Sequence, residues 1–285
     1  AAFCSAKGRM QASFIVVRTL HTAEEDRYLL LCRQDLLAQI LKRLTMFKLR
    51  SQLTLTDVSA EIAVYGLLGE AARQAWQGDM PVLWAHQQQE QRDLVWLYPS
   101  VGQDTQLPRA LCLQPAGLPA PVGASVSAQD WELSEVRSGV ATVSQATWEA
   151  FVPQMINYES VGGVSFKKGC YPGQEVVARS QFRGAIKRRG CIAAGVLADG
   201  AALPQAGQDV FLVPTAGAAD SVRDGECGLI AQVATLPQDG FELIASLQLH
   251  AMEAVSQGLA TLHAGSDTGP ELQLLPLPYV LLEDI

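Results

Sequence analysis

The chain lacks the sequence signals of several large protein classes. No apolar run approaches the ~18 residues that a membrane-spanning helix needs. Patterns typical of nucleotide hydrolases, dinucleotide-binding proteins and serine or zinc hydrolases are also missing, among them Gly-x-x-x-x-Gly-Lys-Ser/Thr, Gly-x-Gly-x-x-Gly, Gly-x-Ser-x-Gly and His-Glu-x-x-His. The sequence therefore gives these activities no support, and we expect no membrane insertion.

Cysteine is scarce and scattered. The six cysteines lie too far apart for the close pairs of zinc or thioredoxin-like sites, and they are too few for a secreted disulfide scaffold. They are Cys4, Cys32, Cys112, Cys170, Cys191 and Cys227. We predict reduced thiols and no bound metal, since nothing local supports an iron–sulfur cluster held by this chain alone.

Signals for export are missing too. The first residues contain neither an initiator Met nor the basic, apolar and small-residue sections of a signal peptide, so we expect a cytoplasmic protein. With 285 residues, of which 48% are hydrophobic and 18% charged, the chain has the composition of a globular protein with two or three packed units.

Positive charge is in the minority but concentrated. The formal net charge is -8, yet residues 166–190 carry seven cations against the single anion Glu175, a local balance of +6. The cations are Lys167, Lys168, Arg179, Arg183, Lys187, Arg188 and Arg189. Such a patch favours an anionic small ligand or an acidic protein partner, with a solvated face as the alternative. The pI near 5.0 argues against direct nucleic-acid binding.

Cys170 stands where a thiolate would be stabilised. Two lysines closely precede it, and Gly173 marks the turn into a helix predicted over 174–181. Cations and a helix N-terminus both favour the anionic sulfur, which is the form that attacks electrophiles or binds metal. Cys170 is therefore the candidate catalytic residue, and the alternative is a half-buried structural cysteine beside a turn.

The segment around Cys170 resembles a family signature. Residues 168–179 read Lys-Gly-Cys-Tyr-Pro-Gly-Gln-Glu-Val-Val-Ala-Arg, which is similar to the motif of the YgfZ family of folate-binding iron–sulfur maturation proteins, relatives of the aminomethyltransferase of the glycine cleavage system. The motif residues are Lys168, Gly169, Cys170, Tyr171, Gly173, Gln174, Glu175 and Arg179. Residues 4–10 look like the family's Lys-Gly-Arg segment, and 276–279 look like its C-terminal strand.

The resemblance implies a fold of the α+β class. It would be an aminomethyltransferase-like folate-binding fold with a C-terminal antiparallel β-barrel, arranged around a central folate-sized hole. We place the folate-binding region at 1–186, as one region or two intertwined modules, and the barrel at 187–285. A Pro-rich strap is expected near 107–126. Independently, Asp-Gly and Ala-Gly turn signals through the last hundred residues favour a small antiparallel barrel.

The resemblance also implies a function. The chain would bind tetrahydrofolate or another folate and act in assembly or repair of the iron–sulfur clusters of target enzymes, including tRNA-modifying enzymes, through Cys170. Its partners would be iron–sulfur enzymes or assembly factors, and it would be an accessory factor rather than a conventional enzyme. Two alternatives stay open, a folate-dependent aminomethyl or methyl transferase and a non-catalytic interaction module.

Several motif residues have both a ligand-binding and a structural interpretation. Tyr171 would stack on a pterin or aminobenzoyl ring, or it would pack within the fold. Gln174 and Glu175 would contact a ligand, or they would belong to the helix start. Arg179 lies one helical turn beyond Glu175, so an i,i+4 ion pair is expected.

Further positions complete the expected site. Lys7 and Arg9 would meet folate carboxylates, with a solvated turn as the alternative. A docking surface around Cys170 would comprise Lys167, Lys168, Arg183, Lys187, Arg188 and Arg189. The chain departs from the family pattern by lacking the segment that relatives have before Cys4, so we expect part of the folate pocket to be missing. Arg137 stands where relatives have a glutamate, and an arginine cannot accept the pterin's donor hydrogen bonds.

Hydrophobic periodicity predicts the secondary structure before the motif. Strands are expected at 11–19, 27–32, 52–58, 62–67, 81–85 and 93–99. Helices are expected at 34–47, 69–77 and 130–138, the last with Asp130 as its cap.

Overall fold

The chain forms helices and strands in two compact units. A computed structural model describes residues 1–22, 25–102, 106–182, 186–218 and 222–282. One unit comprises Ala1–Ser13 and Glu135–Ile285, and the other comprises Phe14–Ser134. The two regions expected from the sequence, 1–186 and 187–285, divide the chain elsewhere. The motif and the C-terminal region belong to one compact unit, together with the first thirteen residues.

The elements have the following bounds. In chain order the strands are β1 (Ala2–Cys4), β2 (Met10–Ser13), β3 (Ile15–His21), β4 (Asp26–Leu31), β5 (Ile62–Leu68), β6 (His86–Gln89), β7 (Arg92–Val101), β8 (Gln106–Pro115), β9 (Arg188–Val196), β10 (Asp209–Pro214), β11 (Gly225–Thr235), β12 (Gly240–Gln248), β13 (Ala260–Ala264) and β14 (Glu271–Leu275). The α-helices are α1 (Gln34–Lys48), α2 (Glu70–Ala75), α3 (Ala128–Arg137), α4 (Gln174–Phe182) and α5 (Leu249–Ser256). None of the helices in the described ranges is long and apolar enough to cross a membrane.

The unit from Phe14 to Ser134 is built on an antiparallel sheet with the strand order β5-β8-β7-β6. Side chains along β7 alternate between two hydrophobic clusters, with Leu94 and Trp96 in one and Val95 and Leu97 in the other. Because successive side chains of a strand point to opposite faces, both faces of this sheet are covered.

The prediction of a Pro-rich strap near 107–126 is wrong for the first half of that segment. Residues 106–115 form β8, which lies between β5 and β7 and is buried along most of its length. Pro108 is tolerated there because the ladder to β7 is irregular opposite it, between Leu97 and Ser100, where no N–H donor is required. Residues 116–127 form no helix or strand.

Of the other predicted helices and strands, some are confirmed and others are wrong. The helix at 34–47 and the strands at 27–32, 62–67 and 93–99 are confirmed, and the helix at 69–77 is present but shorter. The strand expected over 11–19 is broken into β2 and β3. The strands expected at 52–58 and 81–85 are wrong, since both described segments are irregular and largely exposed. In α3, Ser127 is the cap: its Oγ accepts from the Asp130 backbone N–H at 3.1 Å, and Asp130 lies in the first turn.

The C-terminal region is a closed antiparallel β-barrel, as predicted. Its strands follow the order β10-β11-β12-β9-β14-β13, and β13 pairs with β10 to close the ring. The barrel core holds six of the largest fully buried side chains of the described chain: Leu212, Ile230, Phe241, Leu243, Leu247 and Leu262. Residues 276–279 lie beyond β14, so the strand expected there is wrong.

The residue at the C-terminal end of α3 is tied to the barrel by an ion pair. The Arg137 guanidinium donates from Nε and Nη2 to both carboxylate oxygens of Glu242 on β12, at 2.8 and 2.7 Å. The Glu242 side chain is only 6% exposed. Arg137, considered from the sequence for its effect on pterin recognition, therefore has a structural partner, and bidentate geometry makes this a strong charge-assisted contact.

Replacing Arg137 with Met should destabilise the unit that contains it, because the buried Glu242 carboxylate would lose both hydrogen bonds. We expect a loss of about 2–3 kcal/mol in the free energy of unfolding, less than for a fully buried pair because the Arg137 side chain is 29% exposed. Urea denaturation measures the change. The double variant Arg137→Met with Glu242→Leu should recover part of it, and a double variant as unstable as the single one would contradict this account.

Candidate functional site

The motif forms an exposed loop followed by the first turn of α4. Residues 165–170 are all exposed, and α4 begins at Gln174, which confirms the helix predicted after Gly173. The Gln174 side chain accepts a hydrogen bond from the Tyr171 backbone N–H at 3.3 Å, while the Gln174 backbone N–H donates to the Tyr171 carbonyl at 3.2 Å. Gln174 thus closes the turn that ends the loop.

Two glycines join the motif to the N-terminal hairpin of β1 and β2. Gly173 has a φ of 83°, and a Cβ placed on it would lie 2.6 Å from the Gly8 backbone nitrogen. Gly8 has a φ of 69°, and a Cβ placed there would lie 2.7 Å from Cβ of Val176 on α4. Only glycine combines these positive φ angles with such close approach. We call this packing of Gly8 on Gly173 and Val176 the glycine contact.

Cys170 is the exposed thiol of the chain. All six cysteines lie in the described ranges: Cys170 is exposed and Cys32 is half-buried, whereas the other four are buried. A thiol must be reached by its target before it can react, so exposure alone sets Cys170 apart.

Burial raises the pKa values of the other five thiols. It raises the pKa of Cys4 to about 11, an effect that the nearby Lys168 charge partly offsets. It raises the pKa of Cys191 and of Cys227 to about 12. The pKa values of Cys32 and Cys112 are also raised, first by burial. These five thiols therefore have small thiolate fractions near neutral pH.

Lys168 and Tyr171 contact each other beside Cys170. The Lys168 ammonium lies over the Tyr171 ring, 4.0 Å from its centroid, in a cation–π contact. The pKa of Tyr171 is raised by burial and by the nearby charges of Cys4 and Glu175. One face of the ring is thus occupied by a residue of the same motif, as in the structural interpretation of Tyr171.

The predicted folate contacts Lys7 and Arg9 have different environments. Lys7 is exposed on the turn that also contains Gly8. Arg9 is half-buried, and its guanidinium donates to the Ala150 carbonyl at 2.6 Å. Lys7 is thus accessible to an anion. Arg9, in contrast, uses one of its guanidinium N–H groups to hold residues near Ala150.

The prediction that Arg189 belongs to the docking surface is wrong. Arg189 is buried, forms an ion pair with the buried Glu159 and donates to the Leu282 carbonyl at 3.1 Å. Sequence reasoning missed this because Glu159 is distant in the chain. Lys167, Lys168 and Lys187 are exposed, and Arg188 is half-buried. Arg183 lies outside the described residues.

The ion pair predicted on α4 does not form. Glu175 and Arg179 are both exposed, and the ion pairs within the described part of the chain do not include one between them. Exposed pairs of this kind contribute little, so α4 depends on packing instead. Val177 is fully buried, and its carbonyl accepts a hydrogen bond from the buried Gln154 amide at 2.9 Å.

Sequence reasoning did not single out two residues that position the site, Gln154 and Asn157. Gln154 holds α4 through its hydrogen bond to the Val177 carbonyl. Asn157 adopts the left-handed conformation and clamps β9, donating to the Gly190 carbonyl at 2.8 Å and accepting from its N–H at 3.0 Å. Neither residue carried a local signal in the sequence.

Other features of the described residues do not coincide with the predicted site. No group of three or more His, Cys, Asp and Glu side chains suited to a metal ion occurs in the described ranges. A cavity of about 340 Å³ in the unit from Phe14 to Ser134 is lined by Gln77, Gln89, Glu90, Gln91, Arg92 and Leu118.

No family model matches the chain.

Alkylation of the native protein should modify Cys170 before any other cysteine, because the remaining thiols are shielded and have raised pKa values. Peptide mapping after brief treatment with iodoacetamide at neutral pH measures the order. Labelling of Cys4 should increase as the pH approaches 11, since its thiolate fraction then rises. Faster labelling of any of the other five at neutral pH would refute the assignment.

Replacing Gly173 with Ala should destabilise the site. The added methyl group combines a left-handed backbone with a clash against the N-terminal hairpin, which we expect to lower the free energy of unfolding by roughly 2–5 kcal/mol. Gly169→Ala is the matched control within the same motif, because a Cβ there would meet no atom within 4 Å. It should change stability by less than about 1 kcal/mol. Equal effects of the two substitutions in urea denaturation would show that the glycine contact is unimportant.

Proposed function

We propose that the chain is a folate-linked accessory factor in the assembly or repair of iron–sulfur clusters, with Cys170 as its reacting group. The observation that carries the proposal is a convergence. Residues 4–10 and 167–179, which resemble two segments of the YgfZ family, are distant in the chain but lie against each other through Gly8 and Gly173. The exposed thiol of Cys170 stands three residues from this contact.

The exposed loop suits a thiol that acts on other proteins. A cysteine at the surface can reach a disulfide, a persulfide or a damaged cluster on a folded partner, which a buried cysteine cannot. Lys167 and Lys168 are exposed immediately before it and would attract acidic partner surfaces. We therefore propose iron–sulfur enzymes or assembly factors as partners, among them tRNA-modifying enzymes.

Folate belongs to the proposal through the resemblance and through Lys7. The exposed Lys7 ammonium lies on the turn that packs against the motif, where it would pair with a glutamate carboxylate of tetrahydrofolate or another folate. We propose an aminomethyltransferase-like folate-binding fold as the context of this contact. The fold is supported by the barrel, which the aminomethyltransferase group would share.

The two alternatives make different demands on the site. A folate-dependent aminomethyl or methyl transferase would turn over folate-linked one-carbon substrates and would have no use for a protruding thiol. A non-catalytic interaction module would depend on the exposed lysines and not on sulfur chemistry. The exposure of the Cys170 thiol favours the thiol-dependent function over both alternatives.

Complementation tests the proposed function. In a strain lacking its YgfZ-like protein, the unaltered protein should restore iron–sulfur enzyme activity and tRNA methylthiolation, and Cys170→Ala should fail to do so. Cys32→Ala is the control, because Cys32 is the next most exposed cysteine and lies in the other unit. Full restoration by a stably produced Cys170→Ala variant would rule out the proposal.

A further inference from the structure

A second cysteine lies close to the Cys170 loop. Cys4 is the last residue of β1 and pairs with Met10 of β2. It directly precedes Ser5, and a Cβ on Gly173 would meet the Ser5 carbonyl oxygen. The glycine contact therefore brings the backbone next to Cys4 against a residue only three positions after Cys170.

The surroundings of the Cys4 sulfur point to the same place. Its thiol is influenced by the charge of Lys168, and the Tyr171 hydroxyl is influenced by the charge of Cys4. Lys168 and Tyr171 stand two residues before and one residue after Cys170, and they contact each other at 4.0 Å. The Cys4 side chain thus lies within electrostatic reach of the two residues that flank Cys170.

The segment that carries Cys170 is loosely packed. Residues 165–170 belong to no helix or strand and are exposed, and a Cβ on Gly169 would meet no atom within 4 Å. A disulfide requires Cα atoms about 4.4–6.8 Å apart, a separation that a loop can reach by moving while a strand stays fixed. Cys170 lies in this irregular segment, whereas Cys4 lies in β1, so the proposed disulfide would form by movement of Cys170.

We propose that Cys4 is the resolving thiol of Cys170, so that thiol–disulfide exchange at Cys170 ends in an intramolecular Cys4–Cys170 disulfide. The proposal rests on the proposed function only in taking Cys170 as the reacting thiol. It assigns Cys4 a role in releasing a bound partner.

The exchange balances without any further reactant than a disulfide. The Cys170 thiolate attacks a disulfide R–S–S–R, forming a Cys170–S–S–R bond and releasing one R–S⁻. The Cys4 thiol then gives its proton to solvent, its sulfur attacks the Cys170 sulfur, and a second R–S⁻ leaves. The two cysteines are oxidised by two electrons together, and R–S–S–R is reduced to two thiolates.

The second step should be the slower one near neutral pH. Burial raises the pKa of Cys4 to about 11, with Lys168 partly opposing it, so few molecules carry the Cys4 thiolate at pH 7. Proximity compensates, because an intramolecular thiol competes well against free thiols in solution. The rate of the second release should therefore rise with pH between 7 and 9.

Stoichiometry tests the proposal on the full chain. One equivalent of a symmetrical aromatic disulfide with a coloured thiolate should release two thiolates per molecule of protein, and the product should carry no adduct. Peptide mapping without reduction should then find Cys4 linked to Cys170. Cys32→Ser should behave in the same way, whereas Cys4→Ser should release one thiolate and retain the adduct on Cys170.

The possible outcomes distinguish the role of Cys4 as resolving thiol from the proposed iron–sulfur function. A lasting adduct on Cys170 in the unaltered chain, or a link from Cys170 to another cysteine, would overturn the role of Cys4. Because this readout needs no variant, it stays decisive if Cys4→Ser fails to fold. Failure of the complementation experiment would instead remove the iron–sulfur role and leave the Cys4–Cys170 exchange intact.

Discussion

The glycine contact is the constraint on which the candidate site depends. Gly8 and Gly173 both have positive φ, and each leaves room for backbone or side-chain atoms of the other segment that a Cβ would displace. Two segments that are distant in the chain are thereby held together, and the ion pairs among the described residues include none between them. This packing sets where the loop leaves the body of the unit, and so where Cys170 is displayed.

The thiols of the chain differ in their surroundings. Cys191 and Cys227 belong to the hydrophobic core of the barrel, and Cys112 lies inside the sheet of the other unit. They behave as small apolar side chains, in line with the usual role of free cysteine. Cys170 is exposed instead, and Cys4 is buried but directly precedes Ser5, whose carbonyl lies against Gly173. This position, and not burial alone, is the basis for proposing Cys170 as the attacking thiol and Cys4 as the resolving thiol.

Local signals predicted the parts of the fold that depend on local sequence. The leucine spacing of α1, the start of α4 after Gly173 and the turn signals of the barrel all appear in the structure. Strand β8 was missed because Pro108 argues against a central strand unless a ladder irregularity lies opposite it. Arg189 was misplaced because its partner Glu159 is 30 residues away in the chain and is brought close by tertiary packing. The accessibility of Cys170 and its proximity to Cys4 likewise depend on tertiary packing.

The central claim is that the glycine contact shields Cys4 while exposing Cys170. It is tested most directly by measuring the alkylation rate of Cys4 by mass spectrometry in Gly173→Ala and Gly169→Ala, below the concentration of urea at which either variant unfolds. The account predicts that Cys4, 9% exposed in the intact contact, is labelled faster in Gly173→Ala and at the unaltered rate in Gly169→Ala. An unchanged Cys4 rate in both variants would contradict it.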